Sequence, residues 1–149
     1  MAIQSGQILT PARLNKRSVR VRRTTSLSLT TGAVTVVSWD VEEFDNSDMF
    51  SGPSTVITLP VAGLWGFVAS GSFASNATGL RRLLVDVNST TTFPTIDART
   101  AVSGDNTAIT LSGTHLAAAG DQLRVHAHQT SGGTLAFQGG YFSAWLIES

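Results

Sequence analysis

Three histidines are the first residues in this sequence whose types and spacing suggest chemistry. His126 and His128 alternate along one predicted strand, so their side chains share a face, with Arg124 beside them. Two imidazoles at this spacing can bind a metal ion, but a site needs a third ligand, and His115 lies across a predicted corner. We therefore expect no metal site and a polar row that faces solvent or a neighbouring subunit. A row at a three-fold axis would make subunit association sensitive to pH between about 8 and 5.

An acidic run offers the hard oxygen ligands that calcium prefers. Its spacing lacks the central glycine and the terminal glutamate of the twelve-residue calcium loop, so it favours a solvated loop and leaves calcium binding open. The run comprises Asp40, Glu42, Glu43, Asp45 and Asp48.

Catalytic signatures are missing from the sequence. There is no G-x-S-x-G elbow, no H-E-x-x-H helix and no phosphate-binding loop. The chain has no cysteine, which excludes disulfides and thiolate chemistry. We therefore expect a protein that is not an enzyme, with no catalytic residue and no cofactor.

Charge is distributed unevenly along the chain. Residues 1–23 carry +6 and residues 24–149 carry −6, although the whole chain is neutral. The basic segment is interpreted as an N-terminal anchoring arm that docks on an acidic protein surface. A nucleic-acid contact is disfavoured because no aromatic residue is interleaved with the cations. The anchoring residues of the arm are Arg13, Lys16, Arg17, Arg20, Arg22 and Arg23.

The composition predicts an all-β domain over residues 24–149. Charged residues make up only 13% of the 149 residues, and β-branched and small residues fill much of the chain. About ten short alternating segments are separated by Gly, Pro, Asn and Ser turns, a pattern typical of a β-sandwich or jelly roll. No run is long and apolar enough to span a membrane and no signal peptide is expected, so we expect no membrane partner.

The stretch Ile57–Phe73, ITLPVAGLWGFVASGSF, is the centre of this pattern. Pro60 ends one strand because it cannot donate to a sheet ladder, and Gly63 can take the positive φ of a tight turn. Aromatic and very small residues then alternate with little charge on either face. We therefore predict a central strand over residues 64–73 that is covered on both sides.

Three stretches in order resemble the C1q/tumour-necrosis-factor jelly-roll superfamily. Ile57–Trp65 is similar to the family's Phe/Ile-x-x-Pro-x-x-Gly-x-Tyr corner, and Leu116–Leu123 to its Leu-x-x-Gly-Asp corner. Phe142–Ile147 is similar to its final aromatic-Ser-Gly-aromatic-Leu strand. Trp65 stands where the family has Tyr, and Ala144 where it has Gly. The resemblance covers roughly residues 27–149 and implies a ten-stranded jelly-roll β-sandwich.

The family resemblance also implies a homotrimer about a three-fold axis. An apolar surface that the monomer leaves uncovered would then pack against neighbouring copies. The candidate interface residues are Trp65, Phe67, Tyr141 and Trp145.

The opening GQILTPARLN is similar to the start of small bacteriophage tail and virion proteins. Together with the jelly-roll resemblance, it implies a structural protein of the virion, assembled in the host cytoplasm. We expect a trimeric knob whose arm binds the major capsid protein, which would make it a capsid decoration protein. The alternative is a tail-associated module that binds a receptor or host glycan through loops such as 88–97 and 104–107. Gene neighbourhood distinguishes the two placements.

Overall fold

A computed structural model describes residues 17–89 and 95–149. Eleven β-strands and no helix occur in this part of the chain. The strands are β1 (Ser18–Arg23), β2 (Leu27–Leu29), β3 (Val34–Val36), β4 (Val41–Asp45), β5 (Ile57–Thr58), β6 (Gly63–Phe73), β7 (Leu80–Val87), β8 (Thr95–Thr100), β9 (Thr107–Ala117), β10 (Gln122–Gln129) and β11 (Leu135–Glu148). No helix of the described residues is long and apolar enough to cross a membrane.

The strands form two antiparallel sheets packed face to face. The first sheet has the order β4-β1-β11-β6-β9, and β2 also pairs with β11. The second sheet has the order β3-β10-β7-β8, and β5 also pairs with β10. Apart from β7 and β8, strands that pair are not consecutive in sequence, which is the connectivity of a jelly roll. The predicted all-β sandwich is confirmed.

Strand β6 lies inside the first sheet, between β11 and β9, as its composition predicted. Trp65, Phe67, Ala69 and Phe73 are at most 1% exposed and form the centre of the core between the sheets. The expectation that β6 is covered on both sides is wrong, because its other face, which includes Val68, is only partly buried.

Aromatic pairs join the strands across the core. Trp39 stacks on Phe142 with ring centroids 6.0 Å apart, and Phe73 meets Phe137 edge to face at 5.3 Å. All four side chains are fully buried. Burial of such rings is the largest apolar contribution available to a domain of this size.

The boundary of the arm at residue 23 is wrong. Ser18–Arg23 pairs with β11 over six residues and with β4 on its other side, so it is an internal strand of the first sheet. Val19 and Val21 are fully buried in the core, while Arg20 and Arg22, which alternate with them, face outwards. Alternating Arg and Val therefore marks a half-buried strand here. Residues 18–23 therefore belong to the folded domain.

Strand β8 covers Thr95–Thr100 and pairs with β7. Strand β11 is a single long strand over Leu135–Glu148, with a register shift between Phe137 and Gly139. Glycines at this point let a single strand continue through the irregularity.

Candidate interaction surfaces

The solvent side of the first sheet, which we call the open face, is the first candidate surface. Trp145 on β11 lies opposite Gly66 on β6, and its indole packs against that glycine. A Cβ at residue 66 would come within 2.5 Å of the indole, so only glycine lets the ring lie flat on the sheet. The outer side of the ring stays open, and Trp145 is 38% exposed.

Other apolar side chains extend the open face towards both edges of the sheet. Phe44 on β4 is 48% exposed, and Leu116 at the end of β9 is 77% exposed. Half-buried Val68 lies between them, and pairs with Ser143 on one side and Ser112 on the other. Hydroxyl side chains fill much of the remaining surface. The open face is therefore a flat, weakly charged surface with exposed large apolar groups.

The predicted interface residues divide between the core and the open face. Trp65 and Phe67 are buried between the two sheets, so their assignment to an interface is wrong. The register places them on the side of β6 that faces the second sheet. Trp145 and Tyr141 lie on the open face. Sequence reasoning missed Phe44, Val68 and Leu116, whose outward direction depends on pairing between distant strands.

The predicted anchoring cations also divide. Arg20 lies 2.7 Å from Glu43 and 4.2 Å from the centre of the Tyr141 ring, so it is bound to the open face. Arg22 also approaches Glu43, at 3.5 Å. Arg23 donates to the carbonyl and the hydroxyl of Ser38 at 2.7 Å.

These contacts hold Arg20, Arg22 and Arg23 within the domain. Arg17 lies at the point where the domain begins, and Arg13 and Lys16 lie outside the described residues. Three of the six predicted anchoring cations thus belong to the fold.

The histidine row lies on the outer side of the second sheet. His126 and His128 share that face as predicted, and pair with Val36 and Val34 of β3. His126 contacts the carboxylate of Asp86, which is 1% exposed and also lies 3.7 Å from Arg124. No cluster of three metal-ligating residues occurs in the described part of the chain. The row is on the opposite sheet from the open face.

Burial lowers the pKa of His128, and the positive charge of Arg82 on the neighbouring strand lowers it further. The unfolded chain therefore binds a proton more readily than the folded domain does. Stability should fall as the pH drops below about 6.5, the ordinary pKa of histidine, because unfolding is then coupled to proton uptake.

We expect His128→Gln to reduce this loss of stability between about pH 7 and 5. Urea unfolding at several pH values measures the effect. The variant should show a shallower decline in unfolding free energy than the wild type does. An unchanged pH slope in the variant would show that His128 does not carry the effect.

The acidic run is engaged within the chain. Burial alone raises the pKa of Asp40, but hydrogen bonds from Thr24 and Thr25 outweigh it and hold the pKa below its usual value. Asp45 accepts the backbone N–H groups of Ser47, Met49 and Phe50. These contacts fold the segment against the domain as β4 and a tight turn, and they do not gather its oxygens around one point.

The Gly120-Asp121 corner is held by a polar network. Asp121 accepts hydrogen bonds from Asn88 at 2.8 Å, His115 at 3.0 Å and the Ala118 N–H at 3.0 Å. The bonds from Asn88 and His115 lower the pKa of Asp121. Asn88 and His115 therefore help to hold this corner. Residues 90–94 of the loop at 88–97 lie outside the described residues, so its contact with a glycan stays a prediction.

Comparison with solved structures gives clear matches, although no family model and no curated protein matches the chain. The globular domain of zebrafish complement 1qA superposes with a TM-score of 0.59 at 18% identity, and covers 89% of this chain and 98% of that one. Murine APRIL, crystallised at pH 5.0, superposes with a TM-score of 0.69 at 12% identity, and covers 89% and 100%. The pH 8.0 structure of the same protein gives 0.68 at 12% identity, with the same coverage.

The fold is a C1q/TNF-like jelly roll. The resemblance of the three sequence motifs is thus confirmed at the level of fold, and the C1q/TNF-like domain includes β1. At these identities the similarity extends to the fold alone, and none of the three named structures is a virion protein.

Proposed function

We propose that this chain is a non-enzymatic structural protein that forms a homotrimeric knob through the open face of its first sheet. The observation that carries the proposal is the exposed apolar surface around Trp145, Phe44 and Leu116. Apolar groups of this size on a flat face are characteristic of surfaces that another protein covers. The family resemblance implies three copies.

The open face has the chemistry of an interface between copies. Its centre is weakly charged, since Arg20 and Arg22 are balanced in part by Glu43. Trp145 is held flat on Gly66, so little side-chain entropy is lost when a partner packs against it. Tryptophan and tyrosine are also the side chains most enriched at the energetic centres of interfaces.

Size-exclusion chromatography with light scattering tests the proposal. We expect the wild type at three times the 15.7 kDa of one chain, and Trp145→Glu at the mass of one chain. A charge at this position would be buried without a partner in the assembly, which costs several kcal/mol, on the order of the whole interface energy.

Val34→Glu is the matched control, because Val34 is 48% exposed on the second sheet, away from the open face. It should leave the trimer intact. The proposal would be refuted if the wild type elutes as a monomer at tens of micromolar, or if Trp145→Glu still forms a trimer.

We further propose that the knob belongs to a bacteriophage virion and decorates its capsid. This part rests on the similarity of the opening residues to virion proteins and on the basic segment that precedes β1. Arg13, Lys16 and Arg17 are its anchoring cations, and the major capsid protein is the proposed partner. Three arms on one trimer would bind at the same time. The high effective concentration of the second and third arms would raise the overall affinity far above that of one weak contact. A tail-mounted receptor-binding module is the alternative placement.

Co-sedimentation tests the anchoring role with particles assembled without this protein. The full chain should bind, and a chain of residues 17–149 should form the same oligomer without binding. Binding by the shortened chain would refute the arm as the anchor.

A further inference from the structure

A groove of about 460 Å³ lies where β1 begins and β11 ends. Its volume is within the range of small-molecule sites, about 300–1,000 Å³. It is separate from the histidine row and from the polar corner at Asp121. It is lined by Arg17, Asn46, Ser47, Asp48, Val61, Leu146 and Ser149.

Two charged side chains of opposite sign line the groove without pairing. Among the described residues, no ion pair or side-chain hydrogen bond engages Arg17 or Asp48, although both line the same groove. Arg17 is half-buried and Asp48 is exposed. The groove therefore presents both a fork of N–H donors and a carboxylate acceptor to a ligand.

The loop that carries Asp48 is held rigidly. Asp48 has a φ of +52°, and the carboxylate of Asp45 accepts the backbone N–H groups on either side of it, at 3.0 Å from Ser47 and 2.6 Å from Met49. Asn46 is fixed as well, since its amide oxygen accepts the Ser18 N–H at 2.8 Å. The backbone that presents the Asp48 carboxylate is therefore already ordered before a ligand binds.

Apolar surface completes the lining. Val61 and Leu146 are partly buried and pack against the core, so they are firm supports. A ligand that contacts both of them and both charges must have an apolar side and a rim of groups that donate and accept. An anionic or a cationic ligand would be attracted by one of these two charges and repelled by the other, so a ligand without net charge is favoured.

We propose that this groove binds a neutral carbohydrate. A sugar ring has C–H groups that pack on apolar side chains, and vicinal hydroxyls that accept from a guanidinium and donate to a carboxylate. The site differs from loops 88–97 and 104–107, which the sequence suggested for glycan contact. Of the residues that line the groove, only Arg17 is also a proposed capsid anchor. Sugar binding in the groove does not depend on trimer formation.

Saturation-transfer NMR with the full chain tests this proposal. The probes are the methyl glycosides of glucose, galactose and mannose, and N-acetylglucosamine, with N-acetylneuraminate as the anionic comparison. We expect saturable binding of at least one neutral sugar, and a loss of about tenfold or more in affinity for Asp48→Ala and for Arg17→Ala, because each removes a hydrogen bond to a charged group.

Glu42→Ala is the matched control, because Glu42 is an exposed carboxylate on β4, outside the groove and outside both loops suggested for glycan contact. It should leave affinity unchanged, and thermal melts should show that all variants are folded. The proposal is overturned if no neutral sugar binds, if Asp48→Ala binds like the wild type, or if only N-acetylneuraminate binds. If sugar binds only to the chain of residues 17–149, the proposal is overturned for the full protein. That result would indicate that the N-terminal segment occupies the groove in the full chain.

Discussion

Deleting residues 1–23 is expected to unfold the domain, whereas deleting residues 1–16 is expected to leave it folded. The longer deletion removes β1, which separates β4 from β11 in the first sheet. Val19 and Val21 are fully buried, and burial of a valine contributes roughly 1.5–3 kcal/mol. Their loss and the release of β4 approach the entire stability of a typical domain, about 5–15 kcal/mol.

Circular dichroism and thermal unfolding measure the outcome. Residues 17–149 should show a β-sheet spectrum and a cooperative transition close to that of the full chain. Residues 24–149 should show no cooperative transition or should aggregate. A stable, cooperative fold in residues 24–149 would contradict the assignment of β1 to the core sheet. The comparison also decides which truncation can test anchoring, since a 1–23 deletion confounds loss of the arm with loss of the fold.

Replacing Gly140 with alanine is expected to destabilise the domain by more than about 4 kcal/mol, a size seen only when a core arrangement is broken. A Cβ at this position would lie 1.9 Å from the backbone oxygen of Ser70 and 2.8 Å from the Cα of Gly71. Backbone atoms cannot move aside as a flexible side chain does, so β11 and β6 would have to separate locally. These two strands carry Trp145 and Gly66, and the open face would be disturbed with them.

Differential scanning calorimetry gives the size of this effect. At about 2–4 °C per kcal/mol for a chain of this length, the melting temperature should fall by roughly 10 °C or more. Gly133→Ala is the control within the turn that precedes β11, because no atom lies within 4 Å of a Cβ there. The control should melt within a few degrees of the wild type. Equal melting temperatures for the two variants would contradict the close approach of β11 and β6.

Local patterns were sufficient for much of the fold. Alternation in Leu64–Phe73, with Pro60 and Gly63 before it, predicted a strand at the centre of a sheet, and β6 lies there. The Gly120-Asp121 corner falls between β9 and β10 as predicted, and Gly120 has a φ of +91°. Such features depend on periodicity and on backbone freedom, which are properties of neighbouring residues and are therefore visible in the sequence.

The role of the basic segment was not visible locally. Arg20 and Arg22 alternate with valines both in an extended arm and in a sheet strand, so the pattern has two interpretations. The choice between them rests on pairing with β11, more than a hundred residues later in the chain. The groove is missed for the same reason, since Arg17, Asp48 and Leu146 meet only after β1 and β11 have paired.

The sequence by itself determined that this protein is an all-β jelly roll with aromatic strands at its centre and a basic segment at its start. Only the tertiary structure decided which tryptophan is available to a partner. Trp65 and Trp145 are both aromatic residues on predicted strands, and neither composition nor spacing ranks their exposure. The register that sets Trp145 opposite Gly66 turns Trp145 outwards, and the second sheet covers Trp65. Sidedness depends on which element lies behind a strand, and that is fixed by long-range packing.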